Sequence, residues 1–266
     1  MKLVINNVMK ANKFSNIFCN LKNFTDITNI HFSKSGLYVQ GMDKSHCCLF
    51  EFKINSNWFD TYQFDNKNNV EKLGISNNIM YKVLNTRREN QSININYVEK
   101  NDKLSIQFLN DGKEQSKNDF NKIINIPLID VDENMLSIPT TEYEAEITIS
   151  SNMMREIVEE LSIFNDKLEI TLNEDNINLK SSGIDGEMGI AIRNDDIIEY
   201  AIIESGNLKQ SYSLKFFKLM TSFNKLSNNV KLGFSEINPM IMIYSLDSDD
   251  SELNYIKFYL APYIED

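Results

Sequence analysis

Cysteine is scarce in this chain, at three residues in 266. Cys19, Cys47 and Cys48 are odd in number, two are adjacent, and no CxxC occurs. That excludes a disulfide framework and points to a reducing, intracellular compartment in which the thiols serve as small buried apolar groups. Proline (four) and glycine (nine) are also few, so no Pro/Gly-rich disordered segment is expected. Long apolar runs are missing: Ile197-Ile198 and Ala201-Ile202-Ile203 are typical and are broken by charge. No stretch approaches the roughly 20 apolar residues of a membrane span. Met1 to Ile5 leads straight into Asn6-Asn7, which does not read as a signal peptide.

Catalytic and metal-binding patterns are absent as well. The two histidines, His31 in an alternating strand pattern and His46, read as structural. No HExxH, GxSxG, Walker A or GxGxxG string is present, so no enzyme and no cofactor are expected. Asp247, Asp249 and Asp250 lack the spacing and closing Glu of a Ca²⁺ loop and read as a solvated loop, with no metal expected. No zinc-finger spacing, recognition-helix pattern or aromatic RNA-binding signature appears, so any nucleic-acid contact would be independent of base sequence.

What is present is enough apolar content, 42%, to build one large core or two ordinary ones. Abundant Asn, Lys and Ile suggest an AT-rich genome. The same order of elements occurs twice. Ile30 to Val39 alternates, turns at Lys34-Ser35-Gly36 and alternates again; Ile170 to Leu179 does likewise, and both read as β-hairpins with a left-handed-tolerant Gly or Asn in the turn. Ile93, Ile95 and Tyr97 followed by Leu104 and Ile106 find counterparts in Val230, Leu232 and Phe234 followed by Ile241 and Ile243. Each half also carries two amphipathic segments of helical period. These are 8–24 (Phe14, Ile17, Phe18, Leu21 inward), 76–88 (Ile79, Met80, Val83, Leu84), 151–164 (Met154, Ile157, Val158, Leu161, Phe164) and 213–227 (Phe216, Leu219, Met220, Phe223, Leu226). The expected fold is α+β: two similar domains, 1–124 and 144–266, joined by an exposed loop over 125–143 with Pro127, Pro139 and an acidic run.

The net charge of -11 argues against nucleic-acid binding when taken whole. Its distribution argues otherwise. Three helical segments carry +3 each: Lys10, Lys13 and Lys22; Lys82, Arg87 and Arg88; Lys215, Lys218 and Lys225. The fourth carries -2, Arg155 against Glu156, Glu159 and Glu160. The helices therefore total +7, and the remainder carries -18 (that is, -11 less 7). Basic helices on an acidic body make a directional field suited to phosphate. Asn12, Asn16, Asn20 and Asn23 add a row of neutral donors along the first helix.

Four strings then identify a family resemblance. Gly36-Leu37-Tyr38-Val39-Gln40-Gly41-Met42-Asp43-Lys44-Ser45-His46, Phe59-Asp60-Thr61-Tyr62, the segment Leu128 to Pro139, and Tyr259-Leu260-Ala261-Pro262-Tyr263-Ile264-Glu265-Asp266 resemble, in order and from end to end, segments of the proliferating cell nuclear antigen (PCNA) family of DNA sliding clamps. The resemblance implies a clamp architecture with helices lining a ring and sheets outside, three chains per ring, and topological, sequence-independent retention on double-stranded DNA. It implies a processivity factor and docking platform for replication and repair, with a DNA polymerase, proteins bearing a PCNA-interacting peptide and a clamp loader as partners. The implied DNA-facing set is Lys10, Asn12, Lys13, Asn16, Asn20, Lys22, Lys82, Arg87, Arg88, Arg155, Lys215, Lys218 and Lys225. The implied peptide pocket is Met42, Cys47, Leu49, Leu136, Ile138, Pro139, Pro239, Tyr259, Ala261 and Pro262. Subunits are implied to join through edge strands at Ile123, Ile124 and Ile126 and at Met188, Ile190 and Ile192. The implied location is the nucleus or, for a viral clamp, the replication compartment of the infected cell.

Three departures stand out: Ile124 where a bulky aromatic is usual, acidic Glu156 and Glu159 where the family is basic, and Tyr263 in place of a usual Lys. They fit a divergent clamp of a large DNA virus or an AT-rich protist. Ile124, Glu156 and Glu159, together with Pro127, which removes a backbone donor at that strand's end, motivate one alternative, a scaffold that does not slide (monomer or hetero-ring subunit); a further alternative is a monomeric DNA-binding processivity factor.

Overall fold

The computed structural model of the chain describes residues 1–64, 70–98, 101–110, 120–130, 135–203, 206–247 and 253–263. The parts of the acidic run at 131–134, of the aspartate cluster at 249–250 and of the C-terminal string at 264–266 lie outside them. The chain divides into two compact units. The first comprises Met1–Lys44, Glu51–Leu136 and Ser251–Asn254, the second Ser45–Phe50, Ser137–Asp250 and Tyr255–Asp266.

The first unit contains β1 (Lys2–Ile5), α1 (Val8–Leu21), β2 (Ile27–Ser33), β3 (Gly36–Met42), most of β4 (Cys48–Asn55), β5 (Thr61–Gln63), β6 (Val70–Ser76), α2 (Asn77–Leu84), β7 (Gln91–Asn96), β8 (Lys103–Asn110) and β9 (Lys122–Pro127). One sheet has the order β5-β1-β7-β8-β9, and β4-β3-β2-β6 lie side by side in another. The second unit repeats the plan. It holds β10 (Ala145–Ser150), α3 (Ser151–Leu161), β11 (Lys167–Asn173), β12 (Asn176–Gly183), β13 (Gly186–Arg193), β14 (Glu199–Ile202), β15 (Asn207–Ser213), α4 (Leu214–Thr221), β16 (Asn229–Phe234), β17 (Met240–Ser245) and β18 (Tyr255–Leu260). Its strand orders are β14-β10-β16-β17-β18 and β13-β12-β11-β15. The α+β class and the twofold repeat read from the sequence are both present.

The helices start where side chains take up orphan amides. Asn7 Oδ1 accepts from the Lys10 amide (3.1 Å), Ser76 Oγ from Ile79 (3.4 Å) and Ser150 Oγ from Met153 (3.5 Å). α4 has no such cap of its own; Asp166 Oδ1, in the turn after α3, accepts from the Lys215 amide at 2.7 Å. Apolar stripes then bury each helix. Phe14, Ile17, Phe18 and Leu21 are enclosed, with the Phe18 ring edge-on to Phe52 at 6.0 Å. In the second unit Tyr212 lies between the rings of Phe217 (5.9 Å) and Phe234 (6.1 Å), and Phe258 lies between Phe223 (5.0 Å) and Tyr244 (6.5 Å).

Several expectations are corrected. Ile79 is exposed, because α2 has only eight residues and its buried arc is filled by Asn77, Met80, Val83 and Leu84. Leu219 and Phe164 are only half-buried. Only Cys48 is a buried thiol; Cys19 is half-buried and Cys47 exposed. The segment from 125 opens as strand rather than loop, since β9 runs to Pro127 against β8. Of the two hairpins, the first does use a left-handed residue, Gly36 at φ 138°. A Cβ there would also meet the Ile54 carbonyl oxygen at 2.1 Å. The second is held instead by Asn173 Oδ1, which accepts from the amides of Asp175 (3.2 Å) and Asn176 (2.9 Å).

The Phe59-Asp60-Thr61-Tyr62 string has a structural job. The Asp60 carboxylate accepts from the Asn6 amide (2.6 Å), and the Phe59 and Tyr62 rings stack at 5.5 Å. The Tyr62 hydroxyl donates to the carbonyls of Ser33 (2.7 Å) and Gly36 (2.8 Å), pinning the first hairpin. Burial pushes its pKa from 10.0 up to about 12, partly opposed by the bond to Ser33. A group with a raised folded pKa contributes stability that is complete below its unfolded value and is lost as pH rises through the folded one. Denaturant midpoints should therefore fall between pH 10 and 12, and Tyr62→Phe should flatten that fall; an equal fall in the variant contradicts the assignment.

Candidate nucleic-acid interface

The polar face of α1 is largely committed inside the first unit. Lys10 Nζ donates to the Trp58 carbonyl at 2.6 Å and lies 5.2 Å from the indole centre. Asn20 Nδ2 donates to Asn16 Oδ1 (2.9 Å) and to its carbonyl (3.1 Å). Asn12 Oδ1 accepts from the Arg87 guanidinium, and Lys22 Nζ sits 3.3 Å from the centre of the Tyr81 ring. Lys13 is half-buried. Asn12 and Lys22 thus tie α1 to α2 and the segment that follows it, whereas Asn16 and Asn20 pair within α1.

α2 stops at Leu84, earlier than its basic pattern suggests. The Thr86 hydroxyl takes the Val83 carbonyl (2.8 Å) and the Arg87 amide takes that of Leu84 (3.0 Å), closing the helix. Arg87 and Arg88 therefore lie in the connection to β7, not on the helix. The Arg87 guanidinium donates to the carbonyls of Arg88 (3.1 Å), Glu89 (3.0 Å) and Gln91 (2.8 Å), and burial lowers its pKa while Glu89 opposes the shift. Arg88 packs over the exposed Phe120 ring at 5.2 Å. Lys122, which sequence reasoning did not single out, flanks the same ring at 5.6 Å and donates to the Thr86 carbonyl. Its pKa is lowered by burial and then by Arg88. Lys82 remains fully presented on α2.

In the second unit, Arg155 is neutralised by Glu159 (2.8 Å, one helical turn on) and reaches Asn224 Oδ1 at 3.4 Å. Glu156 and Glu160 are exposed, so α3 presents net negative charge. Lys215 and Lys218 are exposed on α4, and Lys225 is exposed in the 3-10 turn Asn224–Leu226. Among the described residues, Lys82, Lys215, Lys218 and Lys225 are the members of the expected cationic set that are exposed.

None of the ten residues expected in the peptide pocket is fully buried. In the first unit Leu136 is half exposed and its backbone is gripped at both ends by Gln40, which accepts from its amide (2.6 Å) and donates to its carbonyl (3.0 Å). Met42 ends β3 nearby in sequence. In the second unit the Ala261 amide donates to the Cys47 carbonyl at 3.1 Å and the Tyr263 amide to Ser211 at 2.7 Å. Cys47, Pro139, Pro239 and Ala261 are exposed; Leu49, Ile138, Tyr259 and Pro262 are half-buried. Gln40 carries no signal of its own in the sequence beyond its place in the first family string.

Both strands expected at subunit junctions are sheet edges. On β9, Ile126 is buried, Ile124 half-buried and Ile123 exposed; on β13, Ile192 is buried while Met188 and Ile190 are half-buried.

Comparison with known proteins agrees with this architecture. The family model described as proliferating cell nuclear antigen, N-terminal domain, matches residues 5–135, and the one for the C-terminal domain matches 137–263. The proliferating cell nuclear antigen 1 of Plasmodium falciparum is 27% identical over 268 residues, covering 96% of this chain and 95% of the relative. The proteins of Chaetomium thermophilum (28% over 253 residues, 92% of each) and Dictyostelium discoideum (28% over 264 residues, 97% of this chain and 98% of the relative) are similarly close. The two repeated units, matched one after the other by the two family models, make this a replicative DNA sliding clamp by class. The chain belongs to the proliferating cell nuclear antigen family, whose members are non-enzymatic processivity factors.

Proposed function

We propose that three copies of this chain close around double-stranded DNA and that the ring tethers a DNA polymerase and other replication and repair proteins. The observation that carries this reading is the pair of sheet edges, β9 in one unit and β13 in the other, on a chain that gathers cations on α1, α2 and α4 and on the short segments just after them. Pairing those edges satisfies backbone groups and removes an aggregation hazard. Lys82, Lys215, Lys218 and Lys225 supply mobile charge toward phosphate, with Lys10, Lys13, Lys22, Arg87 and Arg88 adding field at longer range. The net-negative α3 weakens the grip, which suits a ring that must slide.

Partners carrying a short apolar and aromatic peptide dock beside the connecting segment, at Met42, Leu136 and Ile138 and at Tyr259, Ala261 and Pro262. That none of them is fully buried, with Leu136 and Ala261 exposed and the other four half-buried, supports that reading. A clamp loader opens and closes the ring, and the chain itself catalyses nothing. Its place of work is the nucleus, or the replication compartment of a virus-infected cell.

Light scattering should give a mass near three times 30.9 kDa, and loader-closed protein should stay on circular DNA but run off linear DNA. A stable monomer at micromolar concentration favours the scaffold reading. Loader-independent, steeply salt-dependent binding to linear DNA favours the monomeric factor.

A further inference from the structure

The repeat contains a worked example of how its edge strands are tied. β4 has eight residues and leads directly into a 3-10 turn, Ser56–Trp58; β13 has eight residues and leads directly into another, Asn194–Asp196. β9 and β18 have six residues each and both are immediately preceded by asparagine, Asn121 and Asn254. Within the first unit, Asn55, the last residue of β4, gives its amide to Asn254 Oδ1 at 2.7 Å and its side-chain Nδ2 to the Leu253 carbonyl at 2.9 Å. Asn254 is almost fully buried in doing so. Within the second unit, the residue after β18, Ala261, gives its amide to Cys47, just ahead of β4, at 3.1 Å. In the first unit, then, the asparagine just ahead of a six-residue strand holds the last residue of an eight-residue one, and in the second the residue just after the six-residue strand holds the one just ahead of the eight-residue strand.

We infer that Asn121 repeats the Asn254 clasp between copies: its Oδ1 accepts the backbone amide of Arg193, the last residue of β13, from a second copy of this chain. The inference rests on the trimer reading above and adds the register and the residue that sets it. Arg193 stands to β13 as Asn55 stands to β4. Asn121 is exposed in the single chain, and its Oδ1 already holds the Asn110 amide at 3.0 Å. An amide oxygen has two lone pairs, so it can take both donors.

The opposite end of β9 cannot copy its counterpart. Pro127 has no amide hydrogen, and the Leu128 amide, which corresponds to that of Ala261, is already given to the Asp102 carbonyl at 2.8 Å. The junction between copies therefore has its end-tie on the Asn121 side, and loss of that one bond should be felt strongly.

Sedimentation equilibrium of the full chain tests this. Asn121→Ala should raise the concentration for half-dissociation of the trimer about thirtyfold: each of the three junctions loses one hydrogen bond of roughly 1.4 kcal/mol, a factor of about ten, and that concentration follows the square root of the resulting ~1,000-fold change in the trimer's dissociation constant. Asn121→Asp keeps the acceptor and should stay near the parent. The Arg193 amide should exchange slowly with deuterium in the parent trimer and fast in Asn121→Ala. Ala191→Pro probes the edge pairing itself. Residue 191 lies two before Arg193, so its amide points the same way, and proline is tolerated on a free edge. If Ala191→Pro is still a trimer, the edge-pairing reading falls and takes the clasp with it. If Ala191→Pro is monomeric but Asn121→Ala dissociates like the parent, or Asn121→Asp is as weak as Asn121→Ala, the clasp alone is overturned.

Discussion

Lys82→Glu combined with Lys218→Glu is expected to shorten the product length of processive synthesis by more than tenfold at near-physiological salt. Both side chains are exposed, one on α2 and one on α4, and neither belongs to the internal braces that occupy Lys10, Lys22 and Arg87. Each reversal replaces attraction to phosphate by repulsion, and a homotrimer repeats both changes three times over. Exposed substitutions away from packed features usually move stability by no more than about 0.5 kcal/mol, so mass and melting temperature should not change. The loss should grow as salt is lowered, because repulsion is then less screened. Unaltered product length in the double variant removes these lysines from the DNA path. The contrasting variant Lys10→Ala should disturb the Trp58 contact more than it disturbs DNA retention.

Phe258→Ala is expected to destabilise the second unit by about 3–5 kcal/mol, the usual range for deleting an enclosed phenyl ring. Phe258 is fully buried on β18, with the Phe223 ring at 5.0 Å on one side and Tyr244 at 6.5 Å on the other. Tyr244 is fully buried too, and its hydroxyl has no hydrogen-bond partner among the described residues. That hydroxyl is already without a partner in the parent, so its desolvation cost cancels, and the expected loss is that of the deleted ring alone. Calorimetry should show the transition of this unit lowered by about 10 °C. A shift under about 2 °C means the site collapses without a void and contradicts the packing described.

The twofold plan was legible because both of its signals are periodic: alternating strands flanking short turns, and four apolar stripes of helical spacing. Phe14, Ile17, Phe18 and Leu21 are buried as their spacing requires, and Met154, Ile157, Val158 and Leu161 likewise. What spacing could not supply was the fate of polar groups. Asn12, Asn16 and Asn20 look from sequence like a free row of donors, yet Asn16 and Asn20 bond to one another and Asn12 is taken by an arginine 75 positions away. The basic string after Leu84 continues the helical charge pattern, but Thr86 ends the helix first. Lys122 drew no attention because its role depends on Phe120 and Arg88, which reach it only through the fold. Charge segregation was thus readable as a sum over segments, whereas which cations stay presented was decided by tertiary hydrogen bonds.

The borrowed cap on α4 has a consequence for how that helix comes into being. Eight residues fall short of the roughly 12–15 that an isolated helix needs in water, and α4 begins without a side-chain cap of its own. Its first amides are met by Asp166, through the Leu214 amide to the backbone carbonyl (2.7 Å) and the Lys215 amide to the carboxylate (2.7 Å). α4 is therefore contingent on a turn some 49 positions upstream. Excised from the chain, the segment would wander as coil, and its lysines would point nowhere in common.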